Sequence, residues 1–260
     1  MNDKAFALIA TGDELCNGTK INTNTAAIAG YLHSNYIKTA MHITCADNFD
    51  QLTQIIKYLL PEYNVIITGG LGPTDDDLTR DVVAHIVEKK LIFSNKVSLA
   101  LDQYLTNKGI KISNRHKRQC YFPEGSMLIE NNFGTAWGFA SELNANLIFA
   151  LPGPPKENQP MFQNCLDKIK QTYKIEPEHR LHWLLISPEE KIVNSVDDLV
   201  KKYKLELHTC VHSNKTCDLY ISLAKCHWDL SKVKFLSEQL EQEWSACGIS
   251  FEAAHILIGE

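Results

Sequence analysis

The chain has 260 residues, of which 44% are hydrophobic and 22% are charged, and its formal net charge is −5. This composition excludes a disordered, collagenous or low-complexity protein, and the acidic balance argues against a general nucleic-acid binder, which needs a basic surface. The length fits one large domain, or a medium domain followed by a small one.

Strand-like and helix-like segments alternate through the first 170 residues. Short apolar runs predict buried strands, and apolar residues at helical spacing predict helices. Such alternation is typical of βαβ units, so we expect an α/β domain with a largely parallel sheet and helices on both faces. The predicted elements are a strand over 6–10, a helix over 22–34, a strand over 37–45, a helix over 48–60, a strand over 64–68, helices over 77–90 and 95–107, short strands within a loop-rich stretch at 113–140, a strand over 147–151 and a helix that ends near 171.

The pattern changes after Pro177. A β-α-β-β-α run follows, which predicts a small α+β domain. We therefore expect two domains, 1–172 and 173–260. The predicted elements of the second domain are a strand over 181–186, a helix over 188–202, strands over 206–212 and 217–224 joined by a hairpin turn at 213–215, and a helix over 229–246.

Neither a membrane span nor a secretory signal is expected. No apolar run approaches the roughly 18 residues of a spanning helix, and the N-terminal apolar run is too short for a signal-peptide core. We therefore expect a cytoplasmic protein whose eight cysteines are reduced. Cys210 and Cys217 lie near His208 and His212, but their spacing matches no standard zinc pattern, so free thiols in a sheet are favoured.

The segment after the third predicted strand reads Thr-Gly-Gly-Leu-Gly-Pro-Thr-Asp-Asp-Asp, over residues 68–77. Glycines let backbone N–H groups approach an anion, and a following helix adds a favourable dipole. Three aspartates would repel a bare phosphate but suit one that arrives with Mg²⁺ or Mn²⁺. The alternative is helix capping, in which Thr74 and Asp77 form a capping box. The residues of this segment expected to contact the ligand are Gly69, Gly70, Gly72 and Thr74.

Two other predicted strands also end in segments of unusual composition. One runs from Thr11 to a helix start near residue 24, and the other is the Pro-Gly-Pro-Pro segment at 152–155. The carboxyl ends of parallel strands gather at one edge, where open α/β sheets bind ligands, so one shared crevice is expected. Solvated turns and helix caps explain each segment taken singly. The candidate residues here are Asp13, Glu14, Asn22, Asn24 and Gly153.

The densest positive charge lies at residues 114–119, Asn-Arg-His-Lys-Arg-Gln. A solvated loop is one interpretation. In an acidic protein such a loop is also a natural place to bind phosphate oxygens, with Asn114 and Arg118 as contacts. Arg118 or Lys156 would neutralise charge that develops in a transition state.

Four motifs occur together in a fixed order. They are the opening segment at 11–24, the Gly-rich segment at 69–79, a segment with Asn131 and Gly134-Thr135-Ala136, and the Pro-Gly-Pro-Pro segment. The ordered set resembles the competence/damage-inducible protein CinA family over about residues 5–165. The resemblance implies a three-layer α/β/α molybdopterin-binding-like domain with a mostly parallel sheet, followed by a small α+β domain.

The resemblance also implies an activity, the metal-dependent hydrolysis of ADP-ribose or a related pyrophosphate. Asp76, Asp77 and Glu14 would be catalytic and would hold a divalent metal (Mg, Mn or Co), and Gly134 and Thr135 would join the ligand contacts. Molybdopterin is the other ligand that the resemblance allows. Family members are commonly oligomeric, so a homodimer is expected. Full-length members often add a nicotinamide-nucleotide amidase domain; 260 residues are too few to hold it, so amidase activity is not expected.

The sequence departs from the family pattern at several positions. Trp137 stands where a proline is usual after Gly-Thr-Ala, and Asp75 extends an acidic pair to three. Trp137 has two interpretations, as a ring that stacks on a base or as a side chain that fills space. Two other functions therefore stay open: a pterin- or nucleotide-binding module without turnover, and a scaffold with a vestigial site. We expect a small phosphate-bearing ligand and neither a nucleic-acid nor a membrane partner.

Asp77 is the residue on which the sequence places the sharpest expectation. If Asp77 only caps a helix, asparagine should replace it at little cost. If Asp77 holds a metal, asparagine keeps the shape but loses the negative charge that a hard cation needs. The sequence therefore predicts that Asp77→Asn leaves the melting temperature nearly unchanged and reduces turnover by orders of magnitude.

Overall fold

The computed structural model describes residues 5–35, 37–172, 178–213, 216–224, 227–252 and 255–258. The chain divides into two compact units, Met1–Ile175 and Glu176–Glu260. Over the described ranges, no helix is both long enough and apolar enough to cross a membrane.

The first unit alternates strands and helices. A turn of 3-10 helix, Arg118–Cys120, precedes its fifth strand. In chain order the elements are β1 (Phe6–Thr11), α1 (Asp13–Cys16), α2 (Asn24–Ser34), β2 (Thr39–Cys45), α3 (Phe49–Leu59), β3 (Asn64–Thr68), α4 (Thr79–Ile86), β4 (Leu91–Phe93), α5 (Asn95–Asn107), α6 (Asn114–Lys117), β5 (Tyr121–Pro123), β6 (Met127–Ile129), β7 (Gly138–Leu143), β8 (Asn146–Leu151) and α7 (Pro155–Thr172).

The central sheet has the strand order β2-β1-β3-β8-β7-β6. β1 pairs in parallel with β2 and β3, and β3 pairs in parallel with β8, whereas β7 runs antiparallel to both of its neighbours. The chain goes from β1 to β2 on one side and then crosses to β3 on the other. The strand order therefore reverses between β1 and β3, which is where ligands of open α/β sheets bind.

The central strands are buried on both faces. Along β1, Ala7 and Ile9 pack into one hydrophobic cluster, and Phe6 and Leu8 pack into the other. The first cluster contains residues of α3, α4 and α5, and the second contains residues of α2 and α7. This arrangement confirms the predicted three-layer α/β/α fold with a mostly parallel sheet.

The helix predicted over 77–90 is shorter than expected. It begins at Thr79 and ends at Ile86, and the chain then forms β4. The helix starts later than predicted because the Asp77 side chain closes the preceding loop and does not cap the helix. It ends earlier than predicted because Glu88, with φ of 53°, takes a left-handed conformation in which a helix does not continue. The short helix α1 and the strand β4 were not predicted.

The second unit is a small antiparallel sheet with helices, as the α+β prediction required. Its sheet has the order β10-β11-β9-β12, and β13 also pairs with β9. The helix predicted over 188–202 is two helices, because Val196 leaves helical geometry. Residues 214 and 215 of the predicted hairpin turn lie outside the described residues. The elements are β9 (Glu178–Ile186), α8 (Glu189–Ser195), α9 (Asp197–Tyr203), β10 (Leu207–Ser213), β11 (Thr216–Ala224), α10 (Leu230–Ala246), β12 (Ser250–Phe251) and β13 (His255–Ile258).

The two cysteines considered for zinc lie on opposite faces of this second sheet. Cys210 stands opposite Asp218, whereas Cys217 stands opposite Val211, the neighbour of Cys210. Side chains alternate between faces along a strand, so the two thiols point apart. Cys210 is exposed, Cys217 is buried and neither forms a disulfide in the structure, so the free-thiol expectation stays a prediction for chemical labelling. Among the described residues, no three His, Cys, Asp or Glu side chains gather as a metal site.

Alkylation should show all cysteines as thiols. We expect denatured protein, alkylated without reductant, to gain eight labels by mass, one for each cysteine in the sequence. In the native protein Cys210 should react well before Cys217, because burial raises the pKa of the Cys217 thiol and blocks access to it. Six or fewer labels in denaturant, or stoichiometric zinc, would contradict this prediction.

Candidate functional site

The loops that follow β1, β3 and β8 meet at the carboxyl edge of the central sheet. A Cβ atom placed on Gly69 would lie 2.5 Å from the carbonyl oxygen of Thr11, and one placed on Gly153 would lie 3.6 Å from the Cα of Gly69. Asn24 Nδ2 donates a hydrogen bond of 2.6 Å to the carbonyl oxygen of Gly153. The three segments that the sequence placed in one crevice are therefore in contact.

The Gly-rich loop between β3 and α4 is closed by Asp77. The Asp77 Oδ1 atom accepts a hydrogen bond of 2.6 Å from the N–H of Gly72. The Oδ2 atom accepts two more, at 2.8 Å from the N–H of Thr74 and at 2.5 Å from its hydroxyl. Both carboxylate oxygens are thus used within the loop, and the predicted Thr74–Asp77 pair serves as a loop closure ahead of α4.

The buried side chain of Arg80 binds the backbone of the same loop. Its side chain is 3% exposed, and its guanidinium donates to the carbonyl oxygens of Leu71 at 2.7 Å and Gly72 at 2.6 Å. Burial lowers the pKa of Arg80 to about 10, so it remains a cation at neutral pH. The sequence reasoning missed Arg80. The sequence did contain an indication that Arg80 has a specific role. It is a cation in the first turn of a helix, where a positive charge opposes the helix dipole.

Two adjacent backbone N–H groups at the start of this loop have no partner among the described residues. Arg80 binds the carbonyls of Leu71 and Gly72, and Asp77 accepts from the N–H of Gly72. Within the described ranges, the N–H groups of Gly70 and Leu71 make no hydrogen bond. Buried backbone N–H groups without a partner are rare in folded proteins, and Leu71 is 1% exposed, so an external acceptor is expected here. Adjacent N–H groups near a buried cation are suited to an anion.

Gly70 cannot carry a side chain without disturbing the loop. Its φ is 67°, and a Cβ atom would lie 2.2 Å from the hydroxyl oxygen of Thr79, which donates to the carbonyl of Gly69. We expect Gly70→Ala to lower the free energy of unfolding by about 2–5 kcal/mol, from left-handed strain plus overpacking. Chemical denaturation measures this loss.

Gly18→Ala is the matched control for that substitution. Gly18 has a φ of 77° and open space around its Cβ position. It should therefore lose only about 1–2 kcal/mol, the cost of the left-handed conformation. Equal losses for the two variants would show that the Thr79 contact is not a constraint.

Two predicted carboxylates, Glu14 and Asp76, lie on the segments that follow β1 and β3. The pKa of Glu14 is lowered by its own backbone N–H and by Lys20, whose Nζ lies 3.2 Å from Oε1, and the charge of Asp76 acts in the opposite direction. The pKa of Asp76 is lowered by the neighbouring Thr74 hydroxyl and, to a smaller extent, by its own backbone N–H and the charge of Arg118. Both groups are therefore ionised at neutral pH, and both are accessible from solvent.

Asp13 contacts a residue that the sequence reasoning did not select. The N–H of Asp47 donates to Asp13 Oδ1 at 3.2 Å, and the N–H of Asp13 donates to Asp47 Oδ2 at 3.3 Å. Asp47 also accepts a hydrogen bond of 2.5 Å from the hydroxyl of Thr11, and its pKa is raised by burial. The reciprocal hydrogen bonds between Asp13 and Asp47 connect the loop after β1 to the loop after β2, so the observed contacts of Asp13 are structural.

The basic segment reaches the Gly-rich loop through Arg118. Its guanidinium donates to the carboxylate of Asp75, and its charge contributes to lowering the pKa of Asp76. Arg118 is partly exposed and its partner Asp75 is almost fully exposed, so this ion pair is open to exchange with a ligand. The predicted cation thus lies beside the predicted anion site.

Gln119 links the Gly-rich loop to the segment that contains Gly134 and Thr135. It is 1% exposed, and its Nε2 donates to the hydroxyl of Thr135 at 3.1 Å and to the carbonyl of Leu71 at 3.5 Å. Asn131 shapes that segment by accepting from the N–H of Gly134 at 3.0 Å. A Cβ atom at Gly134 would lie 2.1 Å from Glu157 Oε2, so a larger residue there would require the Glu157 side chain to move.

Three residues that were predicted to contact the ligand make no hydrogen bond that places them in the crevice. Asn22 accepts from the N–H of Thr25 at 3.2 Å, which caps the start of α2. Asn114 and Lys156 are exposed, at the first residue of α6 and in the first turn of α7. In the described part of the chain neither one hydrogen-bonds to another predicted site residue.

The donor set fits a divalent metal only in part. Mg²⁺ is commonly held by one or two carboxylates together with substrate phosphates. Glu14 and Asp76 are the candidates, since both are ionised and accessible and the charge of Asp76 acts to raise the pKa of Glu14. Asp77 does not, because its two oxygens are occupied by the loop. A metal role for Asp77 stays a prediction that would require the loop to open.

Comparison with protein families gives one match. Residues 7–171 match the family described as "Probable molybdopterin binding domain". This range contains the central sheet, its two helical layers and the whole crevice.

Curated relatives and a solved structure agree with this match. The chain is 40% identical to a "Putative competence-damage inducible protein" of Caldicellulosiruptor saccharolyticus, over 60% of this chain and 38% of the relative. It is 34% identical to a "CinA-like protein" of Thermosipho melanesiensis, over 77% of this chain and 50% of the relative. A crystal structure of the protein CinA, of unknown function, from Thermoplasma acidophilum superposes with a TM-score of 0.59 at 25% identity, covering 65% of this chain and 99% of that one. The chain thus spans about half, or less, of the curated relatives it matches.

Proposed function

Because the chain belongs to the "Probable molybdopterin binding domain" family and is related to CinA proteins, we propose that its first unit binds the diphosphate of a nucleotide and hydrolyses it. The proposed activity is that of a metal-dependent pyrophosphatase acting on ADP-ribose or a related dinucleotide. The proposed site is the crevice between the β1 and β3 loops.

One observation carries this proposal. The N–H groups of Gly70 and Leu71 have no partner among the described residues, and the buried guanidinium of Arg80 binds the carbonyls of Leu71 and Gly72. Fixed backbone donors near a cation favour a phosphate oxygen, and they need no rearrangement to bind it. Arg118 at the rim adds a charge that can neutralise a second phosphate.

The acidic rim supports a metal-assisted reaction over simple anion binding. Glu14 and Asp76 would repel a bare diphosphate, and they would hold a divalent cation that arrives with it. When bound, such a cation supplies Lewis-acid polarisation of phosphoryl oxygens and a more acidic bound water. The protein's own part is to orient the diphosphate with the Gly-rich loop and to neutralise its charge with Arg118.

The overall reaction is the addition of water across the diphosphate. An oxygen of water bonds to one phosphorus, the bridging phosphorus–oxygen bond breaks, and the bridging oxygen leaves on the other phosphate. ADP-ribose would thus give AMP and ribose 5-phosphate, with one water proton released to solvent or to a nearby carboxylate.

A second candidate function is ligand binding without turnover. It is favoured by the state of Asp77, which is taken up by the loop, and by the absence of a three-residue metal cluster among the described residues. In that case the same backbone donors would bind a pterin or nucleotide phosphate that is not cleaved.

A hydrolysis assay separates the two functions. The purified protein is incubated with ADP-ribose and Mg²⁺, Mn²⁺ or Co²⁺ in turn, and AMP release is quantified by chromatography. We expect metal-dependent AMP release that falls by about 100-fold or more in Asp76→Asn, because asparagine keeps the shape and loses the charge. The melting temperature should stay nearly unchanged, because Asp76 is fully exposed.

Asp50→Asn is the matched control, an exposed aspartate in the first turn of α3 outside the crevice. It should hydrolyse ADP-ribose at the wild-type rate. If the wild type binds ADP-ribose but releases no AMP with any of the three metals, the binding-module function replaces the pyrophosphatase. If Asp76→Asn keeps the wild-type rate, the assigned role of the acidic rim is wrong.

A further inference from the structure

Two arginines flank the Gly-rich loop, and a ligand can contact only one of them. Arg80 is 3% exposed, and its guanidinium already donates to the carbonyls of Leu71 and Gly72. The side chain of Arg118 is 38% exposed. Burial lowers the pKa of Arg80, and the charge of Arg118 acts in the same direction, so the two guanidinium groups lie close enough to interact. Arg118 is therefore the arginine of this pair that a bound phosphate can contact.

The accessible arginine is paired with a carboxylate of the loop itself. Its guanidinium donates to Asp75, whose side chain is 87% exposed. In the described part of the chain, no other Asp or Glu forms an ion pair with Arg118. An exposed ion pair contributes little free energy, because water screens both charges, so a stronger partner displaces it. A phosphate is such a partner, since it carries more charge and presents several acceptor oxygens to the planar guanidinium.

Asp75 can leave Arg118 without disturbing the loop. It lies in a turn in which the N–H of Asp77 donates to the carbonyl of Thr74 at 3.3 Å. The carboxylate of Asp77 closes the same turn by accepting from the N–H groups of Gly72 and Thr74. None of these hydrogen bonds uses the Asp75 side chain. An exchange of partners at Arg118 therefore needs only side-chain rotations.

The backbone next to Arg118 is fixed to the loop. The buried amide of Gln119 donates to the hydroxyl of Thr135 and to the carbonyl of Leu71. Arg118 itself begins the turn of 3-10 helix that precedes β5. The guanidinium therefore stays beside the loop when it changes partner, and a phosphate bound on the loop competes with Asp75 for it.

We propose that Asp75 is a built-in competitor of the ligand: its carboxylate occupies the Arg118 guanidinium until a phosphate of the ligand displaces it. The inference rests on the proposed function, because it takes the Gly-rich loop as the phosphate site. It adds regulation of that site by a residue to which the proposed function gives no role. A ligand gains the Arg118 contact only by breaking the ion pair, so the Asp75 carboxylate lowers the affinity for diphosphates and its removal raises that affinity.

A double-mutant cycle on Asp75 and Arg118 tests this role. Methylenediphosphonate, a diphosphate mimic that is not hydrolysed, is titrated by calorimetry at a fixed Mg²⁺ concentration into the wild type, Asp75→Asn, Arg118→Met and the double variant. Asp50→Asn, at an exposed aspartate of α3, controls for the loss of one negative charge. We expect Asp75→Asn to bind about two- to fivefold more tightly than the wild type, and Asp50→Asn to bind like the wild type. In the Arg118→Met background, Asp75→Asn should leave the affinity nearly unchanged, because no guanidinium remains to be released.

Two results would overturn the competitor role: an Asp75→Asn protein that binds no more tightly than the wild type, or an equal gain in both backgrounds, which would assign the gain to charge repulsion at a distance. Neither result depends on turnover. The expected cycle in a protein that does not hydrolyse ADP-ribose would support the competitor role and reject the pyrophosphatase. Hydrolysis of ADP-ribose without the expected cycle would do the reverse, and no binding by any of the four proteins would reject both.

Discussion

Replacing Asp77 with asparagine should destabilise the protein as well as weaken ligand binding. The carboxylate accepts three hydrogen bonds, and an asparagine amide would turn an NH₂ group toward the N–H of Gly72 or toward Thr74. We expect the free energy of unfolding to fall by about 1–3 kcal/mol, the usual cost of leaving such a group unsatisfied. Urea denaturation measures the loss. This expectation replaces the one from the sequence, an unchanged melting temperature.

Asp75→Asn is the comparison for Asp77→Asn. Asp75 belongs to the same acidic run, is almost fully exposed and makes only a surface ion pair, which is worth little. Its unfolding midpoint should match the wild type. An Asp77→Asn protein with wild-type stability and wild-type nucleotide affinity would show that the loop does not depend on this carboxylate.

Removing Arg80 should strongly destabilise the protein and should abolish phosphate binding. Arg80→Met fills much of the same volume but leaves the buried carbonyls of Leu71 and Gly72 without donors. We expect the free energy of unfolding to fall by about 2–4 kcal/mol. Leaving two buried carbonyl oxygens without donors costs more than the protein regains by no longer burying a charge. The denaturation midpoint should fall with an unchanged slope.

Arg115→Met supplies the control for Arg80, since Arg115 is exposed on α6. It should be as stable as the wild type. Arg80→Lys tests the geometry apart from the charge: lysine keeps the cation but lacks the planar fork that bridges two carbonyls. If Arg80→Lys bound pyrophosphate as tightly as the wild type, charge alone would be sufficient at this position.

The sequence was most informative where the chain is buried. The strands and the helices α3 and α5 follow from apolar runs and helical spacing, because burial on both faces of a parallel sheet leaves a continuous apolar signal. The residue at which α4 starts could not be predicted from the spacing of apolar residues. There a side chain, Asp77, competes with the backbone for the same N–H groups, and that competition depends on how the loop is closed.

The sequence predicted which loops meet at the candidate site, but it did not predict the contacts of the individual side chains. The rule that ligands bind at the carboxyl ends of strands brought the right three loops together. It could not say that Asp13 would pair with Asp47 or that Asn22 would cap α2, since both depend on contacts across the fold. Arg80 was missed because a single arginine within an apolar helix reads as a surface residue until its two carbonyl partners are known.

A crystal structure with a non-hydrolysable ADP-ribose analogue, in which a methylene group replaces the bridging oxygen, tests the central claim most directly. With Mg²⁺ present, we expect diphosphate oxygens about 2.7–3.2 Å from the backbone nitrogens of Gly70 and Leu71. The side chains of Glu14 and Asp76 should face the metal. A diphosphate bound away from the Gly-rich loop would contradict the claim that the crevice between the β1 and β3 loops is the active site.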